Sequence, residues 1–347
     1  MKIIHILSSD SYSGAENVVC QIIEMFRDEA DIDMIYCSPD GNIRETLKEK
    51  NIKFEPLARM SVGEIKKTIK KIKPAIIHAH DYRASTMCAM SGTNIPIISH
   101  IHNNPPWIKR YGLQALLFGH CCRRFKCILT VSEAIMNEFV FGKKYIYKTS
   151  VIGNPVNVKK IREMANADEP TEKIYDISFL GRLSEPKNPL MFVEIISEVR
   201  KKVKDIKAVM IGDGELRQQV ENMIEELGLN DVIEMTGFQE NPYVYLNKSK
   251  ILCMPSKWEG YGLAAVEALA LGVPVVCSGV GGLHDTVDDK NGFICKNITE
   301  FINCTVLLLN DSCVYKRKKN GALNTLFSFE HKEYYCLLNT KYYSLFS

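Results

Sequence analysis

Short runs of β-branched and aliphatic residues alternate with amphipathic stretches along most of the chain, and the alternation starts twice. In the first half the apolar runs are 3–7, 32–37, 75–79, 97–101 and 128–131. They are continuous rather than alternating, as expected of parallel strands buried on both faces. Helices are predicted near 15–27 and 43–49, and from Glu133 onward with Ser132 as N-cap. The rhythm breaks around Asn154, and the polar stretch ANADEPTEK (165–173) reads as a linker. Strands then resume at 174–180, 208–211, 251–254 and 274–277. Helices are predicted at 189–201, at 215–227 with Gly228 as the stop, and at 262–271. The pattern predicts an α/β protein of two doubly wound, Rossmann-like domains.

The expected boundaries are 1–155 for the first domain, 156–173 for the linker and 174–330 for the second domain. The last segment, HKEYYCLLNTKYYSLF, has helical periodicity, so a helix at about 331–347 is expected to pack back on the first domain. KRKKN (316–320) reads as a solvated helix face or loop.

The totals narrow the function classes. A length of 347 residues is comfortable for two cores. With 24% charged residues and a formal charge of +3, nothing points to nucleic acid. The twelve cysteines contain no Cys-x-x-Cys pair, and Cys121 and Cys122 are adjacent. Several (Cys20, Cys37, Cys253, Cys277) sit in apolar runs, which suits reduced, packed thiols in a cytoplasm. MKIIHILSS is too brief for a signal peptide, and no run approaches the ~20 apolar residues of a membrane span. A cytoplasmic protein is expected, with a surface that can touch the inner face of a membrane.

The chemistry-bearing residues cluster after predicted strands. SSDSYSGAEN (8–17) lacks the GxGxxG spacing of dinucleotide folds, so a nicotinamide cofactor is not expected. Gly14 either makes a simple strand-to-helix turn or lets a ligand approach the backbone closely. FLGRLSEPKNP (179–189) places Arg182 and Lys187 in a loop at the carboxyl end of a strand, where α/β sheets bind ligands. These cations either neutralise a diphosphate or are solvated surface charges. IGDGELR (211–217) adds a glycine-bounded turn, read alone as a helix start capped by Asp213. In PSKWEGYGLAAVEALALGVPVV (255–276), Gly260 and Gly262 bracket Tyr261 and leave free amides at the start of a helix opening on Leu263. That favours an anion such as phosphate. The helix dipole alone accounts for Glu259, but not for Glu267 on an otherwise apolar helix. A carboxylate there suits a vicinal diol.

EGYGLAAVE (259–267) resembles the E-x7-E motif of retaining glycosyltransferases of family 4, which have the GT-B fold of two Rossmann-like domains facing across a cleft. Gly181, Arg182 and Lys187 resemble that family's phosphate segment. GDG (212–214), ALALGVPVV (268–276) and GVGGLHDTVDDKNGFIC (279–295) also match in order, as do SGAEN and ISHIHN in the first half. The resemblance reaches to about Leu309. It implies that Glu267 holds the nucleotide ribose and Glu259 the donor sugar's hydroxyls. Arg182 and Lys187 would stabilise the departing diphosphate, with Gly181, Gly212, Asp213, Gly260, Tyr261, Gly262 and Leu263 around the nucleotide and Gly14 near the diphosphate. His102 is the implied acceptor-side residue; His100 shares its side-chain direction, and the choice rests on the resemblance. His78 and His80 read as cleft-edge packing or acceptor contacts.

No metal cluster with ligand-like spacing is visible, so no metal is expected, and the resemblance implies an enzyme with no cofactor beyond its donor, a UDP-sugar ahead of a GDP-sugar. The acceptor would be a glycan or undecaprenyl-linked glycan in bacterial surface polysaccharide (capsule) synthesis. Two departures stand out. Asp285 replaces the family's common Glu, and Asn154-Pro155 its Asn-Gly. Lys109, Arg110, Arg123, Arg124, Lys126, Lys143, Lys144 and Lys148, interleaved with Trp107 and Tyr111, suit either an anionic membrane or simple solubility. A nucleotide-sugar 2-epimerase of the same fold, or a non-catalytic partner subunit, are the rival readings.

Overall fold

Strand residues of the second half divide by parity, because successive side chains point to opposite faces. Ile177, Phe179, Ala208, Met210, Ile251 and Cys253 enter one buried cluster. Val209, Ile211, Leu252, Met254, Val275 and Cys277 enter another. Each sheet face therefore carries its own apolar layer, which explains why the strands read as unbroken apolar runs.

The computed structural model describes residues 1–12, 14–166, 174–325 and 331–346. Its contacts divide the chain into two units, Met1–Val156 with Ser328–Ser347, and Asn157–Phe327. In the first, strands β1 (Lys2–Ile6), β2 (Asp33–Pro39), β3 (Phe54–Leu57), β4 (Ile76–His80), β5 (Ile97–Ile101), β6 (Cys127–Thr130) and β7 (Thr149–Val151) alternate with helices. The helices are α1 (Gly14–Met25), α2 (Ile43–Glu49), α3 (Val62–Ile72), α4 (Asp81–Met90), α5 (Leu113–Cys121) and α6 (Glu133–Glu138). All strand pairs are parallel, in the order β3-β2-β1-β4-β5-β6-β7.

The second unit holds α7 (Val158–Ala165), β8 (Tyr175–Leu180), α8 (Pro189–Arg200), β9 (Ala208–Ile211), α9 (Arg217–Glu226), β10 (Ile233–Gly237) and α10 (Tyr243–Asn247). It continues with β11 (Ser249–Met254), α11 (Leu263–Ala270), β12 (Val275–Ser278), α12 (Leu283–Thr286), β13 (Gly292–Cys295), α13 (Ile298–Asn310) and α14 (Ser312–Leu323). Its strands are again parallel, in the order β10-β9-β8-β11-β12-β13. Strand order reverses between β1 and β4 in one unit and between β8 and β11 in the other. Those reversals are where doubly wound sheets open a ligand crevice.

Several expectations need correction. The span read as linker, 156–173, contains helix α7, which packs on α10 and α11; its part 167–173 lies outside the described residues. Ile161 and Ala165 are the buried positions of α7, four apart on one helical face. Ser132 stands at the N-cap of α6, but its side chain makes no capping bond. Lys318, within the basic run read as solvated, is buried in α14. Its ammonium donates to the carbonyls of Asp289 and Gly292 at 2.6 and 3.0 Å.

The last helix, α15 (His331–Phe346), lies on the first unit against α1 and β4. Tyr334, Leu338 and Tyr342 are its buried stripe, repeating every four residues.

Candidate active site

At the β8/β11 reversal two loops meet. The loop after β8 carries Gly181, Arg182 and Lys187, and the loop after β11 carries Glu259 and Gly260. Lys187 Nζ donates to Glu259 Oε2 at 2.5 Å, with both side chains largely buried. Ser256 Oγ adds a longer bond to the same oxygen, 3.4 Å. A largely buried, charge-assisted pair at a sheet's carboxyl edge is poised to exchange partners with an anion or a hydroxyl.

The neighbouring loop after β9 is zipped onto this one through backbone. Gly181 N donates to Ile211 O at 3.0 Å, and Leu183 N to Asp213 O at 2.9 Å. A Cβ on Gly212 would lie 2.1 Å from the Gly181 carbonyl oxygen, and Gly212 has φ +136°. Only glycine fits. Asp213 does not cap a helix as the sequence suggested. Its carboxylate accepts from Gly214 N and pairs with Arg217, and α9 begins at Arg217 rather than 215. Arg182 is exposed and faces Glu215 at 3.3 Å, apart from the Lys187–Glu259 pair.

Helix α11 starts at Leu263 after Gly262, whose φ of +86° marks a left-handed turn, and no side chain caps its first amides. Gly260 O accepts from Gly282 N at 2.9 Å, fixing the turn around Tyr261. Burial, with Asp285 nearby, pushes the Tyr261 hydroxyl up to about 12. Small residues (Ala264, Ala265, Ala268, Ala270) let α11 sit close on the sheet. Glu267 is the lone acid of that helix, one turn beyond Leu263. Protein packed round its carboxyl pushes its pKa up to about 7, against the opposing pull of the Tyr243 hydroxyl and of Lys187. Tyr243 donates to Glu267 Oε1 at 3.1 Å.

A cavity of about 570 Å³ opens nearby, lined by Asn188, Ser256, Lys257, Ser278 and Lys296 among others. None of Arg182, Lys187, Glu259 and Glu267 lines it, so bonding geometry rather than volume marks the candidate site.

In the first unit, Gly14 is the first residue of α1. His102 follows β5 directly and is half-buried. Desolvation takes its pKa down to about 4, with Asn154 opposing. Although the spacing along the chain suggested no metal site, the sheet assembles two overlapping histidine groups. His5, His78 and His80 form one and His80, His100 and His102 the other, with donor atoms within 4.8 Å in each.

Residues 160–319 match the family Glycosyl transferases group 1, and residues 12–160 match Glycosyltransferase Family 4. Together they span nearly the whole chain, one on each side of the boundary between the units. This chain is a GT-B glycosyltransferase. The transferase is 26% identical to an Escherichia coli UDP-Gal:alpha-D-GlcNAc-diphosphoundecaprenol alpha-1,3-galactosyltransferase, over 92% of this chain and 91% of that one. It is 24% identical, over 95% of each chain, to a Campylobacter jejuni alpha-1,4-N-acetyl-D-galactosaminyltransferase whose named acceptor is GalNAc-alpha-(1->4)-GalNAc-alpha-(1->3)-diNAcBac-PP-undecaprenol. Among solved structures, Anabaena HepE in complex with UDP and glucose superposes with a TM-score of 0.84 at 18% identity, covering 99% of this chain and 100% of that one.

Sequence reasoning did not single out Tyr243 or His5 in this transferase. Tyr243 is 24 residues from Glu267 and no motif links them. His5 was detectable only as a polar residue inside an apolar strand. The twelve cysteines are free. Among the described residues no helix is long and apolar enough to cross a membrane.

Proposed function

We propose that this glycosyltransferase is a retaining enzyme. It moves a hexose from a nucleotide diphosphate sugar, a UDP-sugar ahead of a GDP-sugar, to a hydroxyl of a lipid-linked glycan in bacterial surface polysaccharide synthesis. The observation that carries this reading is the Lys187–Glu259 pair at the β8/β11 reversal. Its cation is placed for a diphosphate and its carboxylate for a sugar hydroxyl. The two relatives named for diphosphoundecaprenol-linked acceptors, and the UDP and glucose named with HepE, support the substrate classes.

As the sugar–phosphate bond breaks, negative charge grows on the leaving diphosphate. Lys187 stabilises it, Arg182 swings from Glu215 to join, and the uncapped amides of α11 add their dipole. The fixed amides of α11 cost no reorganisation at the moment of reaction, whereas the two cations must exchange partners when the diphosphate binds. Glu267 holds the ribose diol, with Gly181, Gly212 and Asp213 shaping the nucleotide's approach and Gly260, Tyr261 and Gly262 the turn beside the sugar. Freed from Lys187, Glu259 accepts from sugar hydroxyls. Retention results if a leaving phosphate oxygen takes the acceptor's proton on the face it departs from. Gly14 and His102 are assigned to substrate contacts made by the first unit.

The acceptor's lipid has a matching surface. On α5 and the turn before it, Tyr111, Leu113, Leu116 and Leu117 are 79%, 88%, 51% and 46% exposed. Lys109, Arg110, Arg123 and Lys126 are exposed beside them in sequence. Exposed apolar side chains with cations close by in sequence suit an anionic bilayer.

The test is incubation with UDP-hexoses and a short-chain diphosphate-linked sugar acceptor, with NMR of the product. An anomeric configuration equal to the donor's is expected. An inverted product refutes retention. UDP and UDP-sugars that leave the melting temperature unchanged refute the donor assignment.

A further inference from the structure

Five imidazoles share one face of the first unit's sheet: His5 on β1, His78 and His80 on β4, His100 on β5 and His102 one residue beyond it. Parallel register sets His5 beside His78 and His80 beside His100. Residues two apart on a strand share a face, so the two His-x-His pairs stack as a ladder. Burial holds every ring neutral. Desolvation takes His5 down to about 3 and His102 to about 4, and holds His78, His80 and His100 well below the usual histidine range.

Three of the rings pair in a line. His5 Nδ1 lies 3.0 Å from His80 Nε2, and His80 Nδ1 lies 3.0 Å from His102 Nε2. Ring centres are 5.3 Å apart in both pairs. The excess over the nitrogen separation is about two ring radii, so the nitrogens lie close to the line joining the centres. Each lone pair then faces an N–H. A metal ion instead needs lone pairs converging on one point, and this head-on geometry is that of hydrogen bonds.

A neutral imidazole has one N–H and one bare nitrogen, so the middle ring couples the two bonds. Protons can run forward, with His5 donating to His80 and His80 to His102, which leaves the proton of His102 on Nδ1. Or they run backward, which leaves His102 Nδ1 bare and puts a proton on His5 Nε2. The ends decide. His5 Nε2 is buried without a partner, and a buried orphan N–H costs more than an orphan lone pair. At the other end His102 Nδ1 and Asn154 Oδ1 are both buried without a partner. A proton on Nδ1 makes one of these two bare atoms a donor for the other, whereas without it both stay orphaned acceptors. Both ends select the forward arrangement. The backbone beneath is held as well. Asp81, next to His80, has φ +71°, and its carboxylate accepts from the Ser8 hydroxyl at 2.7 Å and from Ala84 N at 2.8 Å.

We propose that His5 and His80 are positioning residues that fix His102 as the neutral Nδ1–H tautomer, with Nε2 taken by His80 and the Nδ1–H turned to Asn154, so that it meets substrate with no free ring nitrogen to act as a base. Its functional meaning rests on the assignment of His102 to substrate contact; the tautomer itself does not. A leaving phosphate is then the only proton acceptor that transfer requires.

The test is ring nitrogen–proton correlation NMR on the full-length protein labelled at histidine, with His102→Gln identifying the His102 signal. In the wild type, His102 should carry its proton on Nδ1 and stay neutral from pH 6 to 8. His80→Phe should release that proton to Nε2. His80→Asn keeps an N–H donor near the former Nδ1 and should retain the wild-type tautomer. In transfer assays His80→Phe should lose about tenfold in kcat/KM, the worth of one hydrogen bond, and His80→Asn should recover most of it. A wild-type proton on Nε2, a tautomer indifferent to His80→Phe, or a stoichiometric bound transition metal overturns the proposal, and the wild-type spectrum alone decides if a variant does not fold. If His102→Gln transfers normally while the tautomer behaves as stated, the substrate role of His102 fails and the chain of rings stands.

Discussion

Replacing Glu267 by glutamine should stabilise the empty protein and weaken nucleotide binding, both in a pH-dependent way. The folded carboxyl titrates at about 7 instead of 4.5, chiefly through desolvation. Each pKa unit is worth 1.36 kcal/mol, so ionising Glu267 costs the folded state about 3 kcal/mol once the pH exceeds both values. Proton counting gives the sign. Between 4.5 and 7 the folded chain holds more protons than the unfolded one, so this residue's contribution to stability is full below 4.5 and is lost as the pH rises through 7. Glutamine keeps an acceptor for the Tyr243 hydroxyl and carries no charge. At pH 8 the variant should be about 3 kcal/mol more stable, a rise in melting temperature of roughly 6–12 °C for a unit of this size. At pH 5 the gain should shrink below ~1 kcal/mol. Binding runs the other way. A ribose diol donates to the carboxylate, so UDP should bind the wild type more tightly at pH 8 than at pH 6, and Glu267→Gln should bind weakly at both. Differential scanning fluorimetry at the three pH values, with and without UDP, measures all of it. Equal stability of variant and wild type at pH 8, or UDP binding that ignores both pH and the substitution, refutes the reasoning.

Lys187→Ala should cut kcat by about a hundredfold or more, since it removes the cation proposed to stabilise the leaving group, and UDP release during transfer reports it. Serine at Leu113, Leu116 and Leu117 together should abolish flotation with anionic vesicles while leaving the melting temperature within about 2 °C, because these side chains are already in water; flotation that survives the substitutions, or is absent from the wild type, refutes this patch as the proposed membrane contact.

The strands were legible because parallel, doubly covered strands must be apolar on both faces, and 97–101 and 208–211 were bounded as observed. Edge strands escaped. β3 and β7 are short, each is half-covered, and β3 contains a proline. Helix α7 hid in a stretch whose polarity spoke for a linker, because only Ile161 and Ala165 need burial. In the candidate site, the loops carrying Lys187 and Glu259 and the helix carrying Glu267 announced themselves through glycine spacing and misplaced acids. The bonds among them did not. Arg182 turns to Glu215, Asp213 to Arg217 and Tyr243 to Glu267, and no linear spacing encodes these choices. The histidine ladder shows why. Its paired rings are 22 or 75 positions apart, and only the register of β1, β4 and β5 makes them neighbours.

Tyr342 on α15 reaches back to that ladder, its hydroxyl 2.8 Å from His78 Nδ1 and its ring edge-on to Phe26. During synthesis on a ribosome the first unit's sheet emerges early, while the stripe of Tyr334, Leu338 and Tyr342 that covers it leaves the tunnel after the whole second unit. The nascent first unit therefore waits with an uncovered apolar face and an unanchored His78, and the order of completion is inverted: the half begun second is the first that can finish.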